Sequence, residues 1–295
     1  MQVCLCLFSE NNKPEEELLD TLEEVVVSDT RIRFVESQNT VSKTSLFSSS
    51  LERQHQLAPK DISAVVPNLY IPDYGSAMTS TVYLRGLGTR IDQPVMGLYI
   101  DGVGIANKNS FDIDFLDVRS LTVYRGPQGS LFGKNTIGGV MSITTISPFD
   151  FQGIRLKASY GNHNTAVAQV SYYTLINNKI GVSVAGAYQH TDGFFVNRFD
   201  NKRVDWRHSG DLHLKLEHRV NDTFNYSHLA YANLLWQGGF PYHLKNQPVN
   251  HNDFCGYQRQ NVLYAFRFRK LTEKVSVESV LSYQFLSDKM EMDND

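Results

Sequence analysis

Asp211-Leu212-His213-Leu214-Lys215-Leu216-Glu217 alternates strictly between apolar and charged or polar side chains. Successive side chains of a strand point to opposite faces, so this segment has one apolar and one polar face. The same period recurs on both sides of it. Ile154, Leu156, Ala158 and Tyr160 alternate with Arg155, Lys157 and Ser159. Val262, Tyr264, Phe266 and Phe268 bracket Ala265, Arg267 and Arg269, and Val275, Val277, Leu281, Tyr283 and Phe285 share a further face. The period predicts about seven strands, near 153–161, 165–176, 179–190, 207–219, 222–236, 258–270 and 273–286. Strands of a soluble sheet average about 5 to 6 residues, and these are longer.

The connections alternate as well. Asn177-Asn178, Asn221-Asp222 and Thr272-Glu273 read as tight turns. The stretches 191–206 and 237–257 are long and rich in Asn, Asp, Gly and His, with the short hairpin at Gly161-Asn162 the exception on that side. Tight turns at one end and long loops at the other suit an antiparallel transmembrane β-barrel and give a soluble sandwich no advantage. Composition agrees. The 295 residues are 41% hydrophobic, with 17 Phe, 15 Tyr and 20 Gly. No run approaches the roughly 18 apolar residues of a membrane helix, whereas half-apolar barrel strands leave no such signal.

Residues 40–147 read differently, as a small α+β domain. Asp61 to Val66 suggests a short helix stopped by Pro67. Val82-Tyr83-Leu84, Met96 to Ile100, Leu121 to Tyr124 and Val140 to Thr144 read as strands punctuated by glycine. Ahead of this domain the charge is uneven. The whole chain carries 28 basic and 31 acidic residues, yet residues 1–30 hold a strongly acidic set with Lys13 as the sole base. Residues 1–21 therefore read as a flexible acidic leader. Its apolar Val3–Phe8 is at most the tail of a secretory signal, since no basic residue precedes it. The near-neutral total argues against a nucleic-acid binder.

Little else suggests chemistry. The run from Arg125 to Asn135 has glycines and a Gly133-Lys134 pair, but Gln128 and Asn135 stand where a phosphate loop needs Gly and Ser or Thr. Gly86-Leu87-Gly88 has Ile91 in place of the third glycine of a dinucleotide fingerprint. His208, His213 and His218 are spaced to alternate faces and cannot converge on a metal. His190, His228, His243 and His251 fall in or near loops. Cys4, Cys6 and Cys255 make no metal or redox spacing. No constellation points to an enzyme, a metal or a cofactor.

The block Tyr124-Arg125-Gly126-Pro127-Gln128-Gly129-Ser130-Leu131-Phe132-Gly133-Lys134-Asn135-Thr136-Ile137-Gly138-Gly139-Val140 closely resembles the plug motif of TonB-dependent outer-membrane receptors. Tyr83-Leu84-Arg85-Gly86-Leu87-Gly88 looks like the family's Arg-Gly strand, and Pro94 to Val103, with Asp101-Gly102, looks like its Asp-Gly turn. Glu24-Val25-Val26-Val27-Ser28, within 22–29, is similar to the TonB box.

The resemblance implies a plug over 40–147 and, over 151–295, the N-terminal part of a barrel of about 22 strands. It implies a Gram-negative outer membrane as location, with TonB, outer-membrane lipid and a small-molecule or metal-chelate ligand as partners. The implied function is import of a scarce large solute, most often a ferric siderophore, by TonB-energised plug movement. Arg85, Gly86, Asp101, Gly102, Arg125, Gly126, Pro127, Gly129, Gly133, Gly138 and Gly139 are the plug-motif residues, with Arg85 and Arg125 facing barrel-wall carboxylates. Where the family often has an acidic residue three before the Arg-Gly-Pro arginine, this chain has Thr122. About seven strands leave two open edges, which lipid does not tolerate. Two alternatives follow: a truncated, non-transporting product, or a soluble secreted β-rich binding protein.

Overall fold

The fold comes from a computed structural model that describes residues 3–9, 42–72, 81–88, 94–106, 111, 113–239, 247–272 and 275–293. In chain order the elements are β1 (Val3–Ser9), β2 (Lys43–Phe47), α1 (Ser48–Arg53), β3 (Leu69–Tyr70), β4 (Tyr83–Leu84), β5 (Leu87–Gly88), β6 (Met96–Ile100), β7 (Val103–Ile105), β8 (Val118–Arg125), α2 (Gly129–Phe132) and β9 (Gly139–Thr145). The long strands follow: β10 (Gly153–Gly161), β11 (Thr165–Asn177), β12 (Ile180–Thr191), β13 (Arg207–Asn221), β14 (Phe224–Gly238), β15 (Gly256–Leu271) and β16 (Ser276–Glu291).

β10 to β16 form one antiparallel sheet in sequence order, each strand paired with the next. Each falls where the alternation places it. On β13 the apolar Leu212 and Leu214 are 44% and 39% exposed, while His213 between them is 3% exposed. Exposed Leu, Val and Tyr therefore form the outside of a curved wall, and Ser209, Asp211, His213 and Lys215 face inward. The outside also carries two rims. Near the long loops Tyr188 Oη lies 2.8 Å from His208 Nδ1, beside Trp206. Near the tight turns His218 meets Tyr226 at 2.6 Å, and His228 meets Tyr264 at 2.8 Å. About ten residues of β13 separate the rims, roughly 33 Å along a strand, or ~25 Å vertically at a tilt near 40°. That height fits the apolar band of an outer-membrane wall between its aromatic girdles. His228 is thus a mid-strand rim residue rather than a loop residue.

At the centre of this band, Leu214→Arg is expected to cost about 2–4 kcal/mol of folding stability. Urea titration in lipid vesicles measures it, with the inward-facing neighbour His213→Arg as the comparison for orientation.

The smaller domain packs against the inner face. Its sheet has the order β2-β8-β9-β6-β7, with β6 parallel to β9 and the other pairs antiparallel. β6 is buried throughout and β8 and β9 nearly so, because both of their faces are covered. Leu51, Ile62, Val66 and Leu84 pack on Leu98, Leu121, Val123, Met141 and Ile143. The 61–66 helix is a short 3-10 turn, Asp61–Ala64. It is pinned by the Asp61 carboxylate, which accepts from the amides of Leu57 and Ala58 at 2.8 and 2.9 Å.

Val3–Ser9, which the sequence places in a flexible leader, runs antiparallel along β10, Val3 opposite Tyr160 and Ser9 opposite Ile154. Residues 10–41, with the acidic segment and Glu24 to Ser28, lie outside the described residues.

Candidate functional site

The glycine-rich block is a folded corner of the small domain. Gly126, at φ 141°, donates its amide to Gly138 O at 2.9 Å, and Gln128 donates to Thr136 O at 3.0 Å, so the two ends of the loop close on each other. Between them α2 presents Phe132 to Tyr99, whose ring meets it edge-on at 4.9 Å between centroids. Tyr99 Oη donates to Phe132 O. Gly133 combines φ 84° with ψ −135°, a backbone region open to glycine and strained for other residues. Gly139 faces Tyr124 O and Leu84 Cδ2 so closely that a Cβ would overlap both. These glycines permit close backbone approach and make no cradle for an anion.

Two hairpin turns complete the set. Asp101 and Gly102 have φ 48° and 77° and join β6 to β7, as expected of an Asp-Gly pair in a two-residue turn. Arg85 and Gly86 have φ 53° and 78° and join β4 to β5. The "Arg-Gly strand" is therefore a turn with two-residue strands on either side. Arg85 Nη1 lies 3.8 Å from the Cβ position of Gly126. Arg125 Nη2 donates to Lys43 O at 3.4 Å, while its Nε is buried without a partner. Arg85 and Arg125, distant in sequence, thus meet on one side of the domain. Thr122 instead pairs its hydroxyl with that of Ser45 across β2 and β8, at 3.1 Å.

The opposite side of the domain is seated on the wall. Asp101 accepts from Thr145 N at 2.9 Å and Thr145 Oγ1 at 2.6 Å, and its Oδ2 lies 3.2 Å from Lys215 Nζ. Arg267 donates to Asp101 O at 3.0 Å. Ser209 donates to Asp114 at 2.9 Å, with Arg207 3.4 Å from the same carboxylate. Tyr173 donates to Asp117, and Ser147 donates to Glu217 at 2.7 Å. The seam is not wholly polar. Leu229, Tyr231, Leu263 and Ala265 of β14 and β15 join the domain's apolar core. They do so because the core of the small domain continues to its wall-facing side.

Burial opposes the charge on Asp101, but Lys215, His213 and the Thr145 bonds outweigh it and hold the carboxyl at about 2. Asp117 goes the other way. Burial pushes it up to about 8 against the pull of Lys215, with the Asp101 charge adding to the rise. Near neutral pH the seam therefore combines a charged Asp101 with a largely protonated Asp117.

Comparison with known proteins bears on this arrangement. Residues 36–140 match the family model described as TonB-dependent Receptor Plug Domain. The pesticin receptor of Yersinia pestis is 36% identical over 114 residues, covering 38% of this chain and 17% of that receptor. The pesticin receptor of Yersinia enterocolitica matches to the same extent. The ferric yersiniabactin uptake receptor FyuA from Yersinia pestis superposes with a TM-score of 0.74 at 22% identity, covering 86% of this chain and 42% of that one. The match to the TonB-dependent receptor plug covers residues 36–140, under half of the chain. The ferric-catecholate import receptor Fiu from E. coli K12 shares the fold, with a TM-score of 0.67 at 14% identity over 85% of this chain and 39% of that one. The chain thus spans well under half the length of the relatives it matches.

The small domain is accordingly similar to a TonB-dependent receptor plug, and the wall shares the fold of a stretch of such a receptor's barrel. Of the residues named from the sequence, Arg85, Gly86, Arg125 and the glycines of the 126–139 block lie at one corner of the plug, and the Asp101-Gly102 turn reaches the wall on the other side. Residues 73–80 and 107–110 lie outside the described residues, while Ala106 N donates to Gln284 of β16 at 2.9 Å. Among the described residues no group of three His, Cys, Asp or Glu side chains could hold a metal. Alternation marked the wall residues of the seam as inward-facing. Nothing in the spacing identified Asp114, Asp117 or Thr145 as their partners.

Proposed function

We propose that the chain is part of a receptor that imports a scarce large solute, a ferric siderophore before others, by plug movement energised through TonB. The observation that carries this reading is a glycine-built plug seated on the polar inner face of a wall whose outer face is apolar between two aromatic rims. Such a plug closes a lumen too wide to be filled by wall side chains alone. In this reading Glu24-Val25-Val26-Val27-Ser28 is the segment that TonB captures, by adding as a strand to its sheet edge. Arg85 and Arg125 meet carboxylates of wall strands other than β10 to β16, each arginine offering a fork suited to a carboxylate. Asp101-Gly102 sets the plug turn that docks on Lys215. The ligand is a metal chelate held by plug-apex and extracellular loops, with iron as cargo.

The test is iron-limited growth of an outer-membrane host that lacks its own siderophore receptors and carries the receptor gene. Ferric yersiniabactin is the first chelate to supply, because of the relatives named above, and a panel of other ferric siderophores follows. Expected is growth and radio-iron uptake on one of them, lost in a host without TonB. Uptake that persists without TonB, or growth stimulated only by a nutrient other than iron, overturns the reading.

A further inference from the structure

We propose that the gap between the plug and β13–β15, at the end of the wall that carries the tight turns, binds a small doubly charged oxyanion of the phosphate type. The gap is a cavity of about 290 Å³, with Arg119 and Ser147 of the small domain on one side and Arg219, Asn225, Arg267 and Arg269 on the other. That volume takes about ten waters at the liquid's ~30 Å³ each, enough for one oxyanion with part of its hydration. Register sets the geometry. Arg219 stands opposite Asn225 and Asn225 opposite Arg269, so the three form one row across β13, β14 and β15. They continue the inward-facing positions of Glu217, Ser227 and Arg267 by one step of two residues. Strands about 4.8 Å apart put the backbones of the two arginines about 10 Å from each other, with the Asn225 amide between them. Two guanidinium forks across that distance close on one anion, and Asn225 Nδ2 adds a neutral donor. Each of the three strands has both of its neighbours in the sheet, from β12 to β16.

Pairing decides which cations are free to bind. Lys215 is held by Asp101 and Glu217, at 3.2 and 3.0 Å. Arg267 is held by Glu278 at 3.1 Å and by Asp101 O at 3.0 Å, and Arg119 pairs with Asp150. Among the described residues Arg219 and Arg269 have no carboxylate partner. Arg219 lies over the ring of Phe149, its Cζ 3.9 Å from the centroid. Stacking holds the face of the guanidinium and leaves its N–H edge for an acceptor. Arg269 has its Nε buried without a hydrogen-bond partner. A buried donor on a charged group is costly to leave unmade, and an anion in the gap supplies the acceptor. The anion comes from solution, because lipid headgroups meet the opposite face of the wall. Bound between the wall arginines and Arg119, it ties the plug to the wall. The site does not depend on import.

The experiment titrates inorganic phosphate into the purified complete receptor by calorimetry, near neutral pH and at constant ionic strength in chloride. Expected is one saturable site with a dissociation constant of about 1 mM or tighter, for which sulfate competes and added chloride does not. Arg269→Gln and Arg219→Gln should each weaken phosphate at least about tenfold. Lys157→Gln removes the same charge from the inner face of β10 and should leave binding unchanged. Arg219 is exposed, so Arg219→Gln keeps the fold where Arg269→Gln does not. No saturable binding, equal competition by chloride, or equal weakening in all three variants overturns the proposal.

Hydrogen exchange locates the bound anion. Saturating phosphate should slow exchange of amides at 144–150 of the plug and at 219–225 of the wall, and should not do so in Arg219→Gln. Slowing at only one of the two segments, or at neither, overturns the bridging of plug and wall.

Discussion

Val26→Pro is expected to reduce TonB-energised uptake to the level of a host without TonB, with ligand binding at the cell surface unchanged. Strand addition depends on a row of backbone donors and acceptors in register with the partner's edge. Val26 is the middle of Val25-Val26-Val27, so its amide belongs to the centre of any such ladder. Proline removes that donor, fixes φ and places a ring where the partner strand must pass. The flanking acidic residues are kept, which separates this effect from a change in charge. Ligand binding should survive because the substitution lies ahead of the first plug strand, Lys43–Phe47. Val26→Thr is the control. It keeps the amide and the β-branched shape and should retain most of the uptake. Radio-iron accumulation in warm, energised cells against surface binding on ice measures the two quantities separately. Unchanged accumulation in the proline variant would remove the box assignment and leave the plug assignment standing.

How much of the molecule was legible depended on which physical signal fixed each part. The wall strands were legible because one face must meet lipid and the other the lumen, which forces period two along every strand. β13 is read off Leu212, Leu214 and Leu216 without any knowledge of its neighbours. Its end was less clear, because Arg219 to Asn221 leave the band and lose the pattern before the strand stops. The plug strands were harder. β2 reads Lys-Thr-Ser-Leu-Phe and shows no alternation, because it is an edge strand with partly buried positions on both faces. α1 begins on three serines with no side-chain cap and was invisible to helix signals, its place set by Leu51 docking on the core. Arg85-Gly86 reads as strand through the family resemblance, whereas positive φ at both residues makes it a turn, a feature that apolar neighbours do not signal. The plug–wall seam was half legible. Alternation says that Lys215 faces inward but not that Asp101, more than a hundred residues earlier, will be opposite. Such partners are chosen by tertiary packing, which leaves no mark in local spacing.

The glycines of the Arg-Gly-Pro block offer the sharpest test of whether the motif is architecture. Gly139→Val is expected to destabilise the plug by at least about 3 kcal/mol, beyond ordinary overpacking, because the obstacle includes a carbonyl of the neighbouring strand. Gly139 sits at the start of β9, opposite Arg125 of β8 and Met96 of β6, so it cannot shift without spreading three central strands. Its Cβ position overlaps Tyr124 O, a main-chain atom with no rotamer to adopt, and Leu84 Cδ2 in the buried core. Other glycines of the block should respond in graded fashion. Gly133 has open space around it but combines φ 84° with ψ −135°, so Gly133→Ala should cost about 1–3 kcal/mol of backbone strain. Gly129 begins α2 with Thr136 Oγ1 at 4.0 Å and ordinary backbone, so Gly129→Ala should be nearly neutral. The readouts are protease resistance of the plug in outer-membrane vesicles and entry of a large antibiotic that the membrane normally excludes. A failed plug leaves the barrel lumen open, so the Gly139→Val receptor should be both cleaved and leaky, the other two neither. A protease-resistant, tight Gly139→Val receptor would show that the close approach of β9 to β8 is dispensable. The motif would then have to be explained by something it binds.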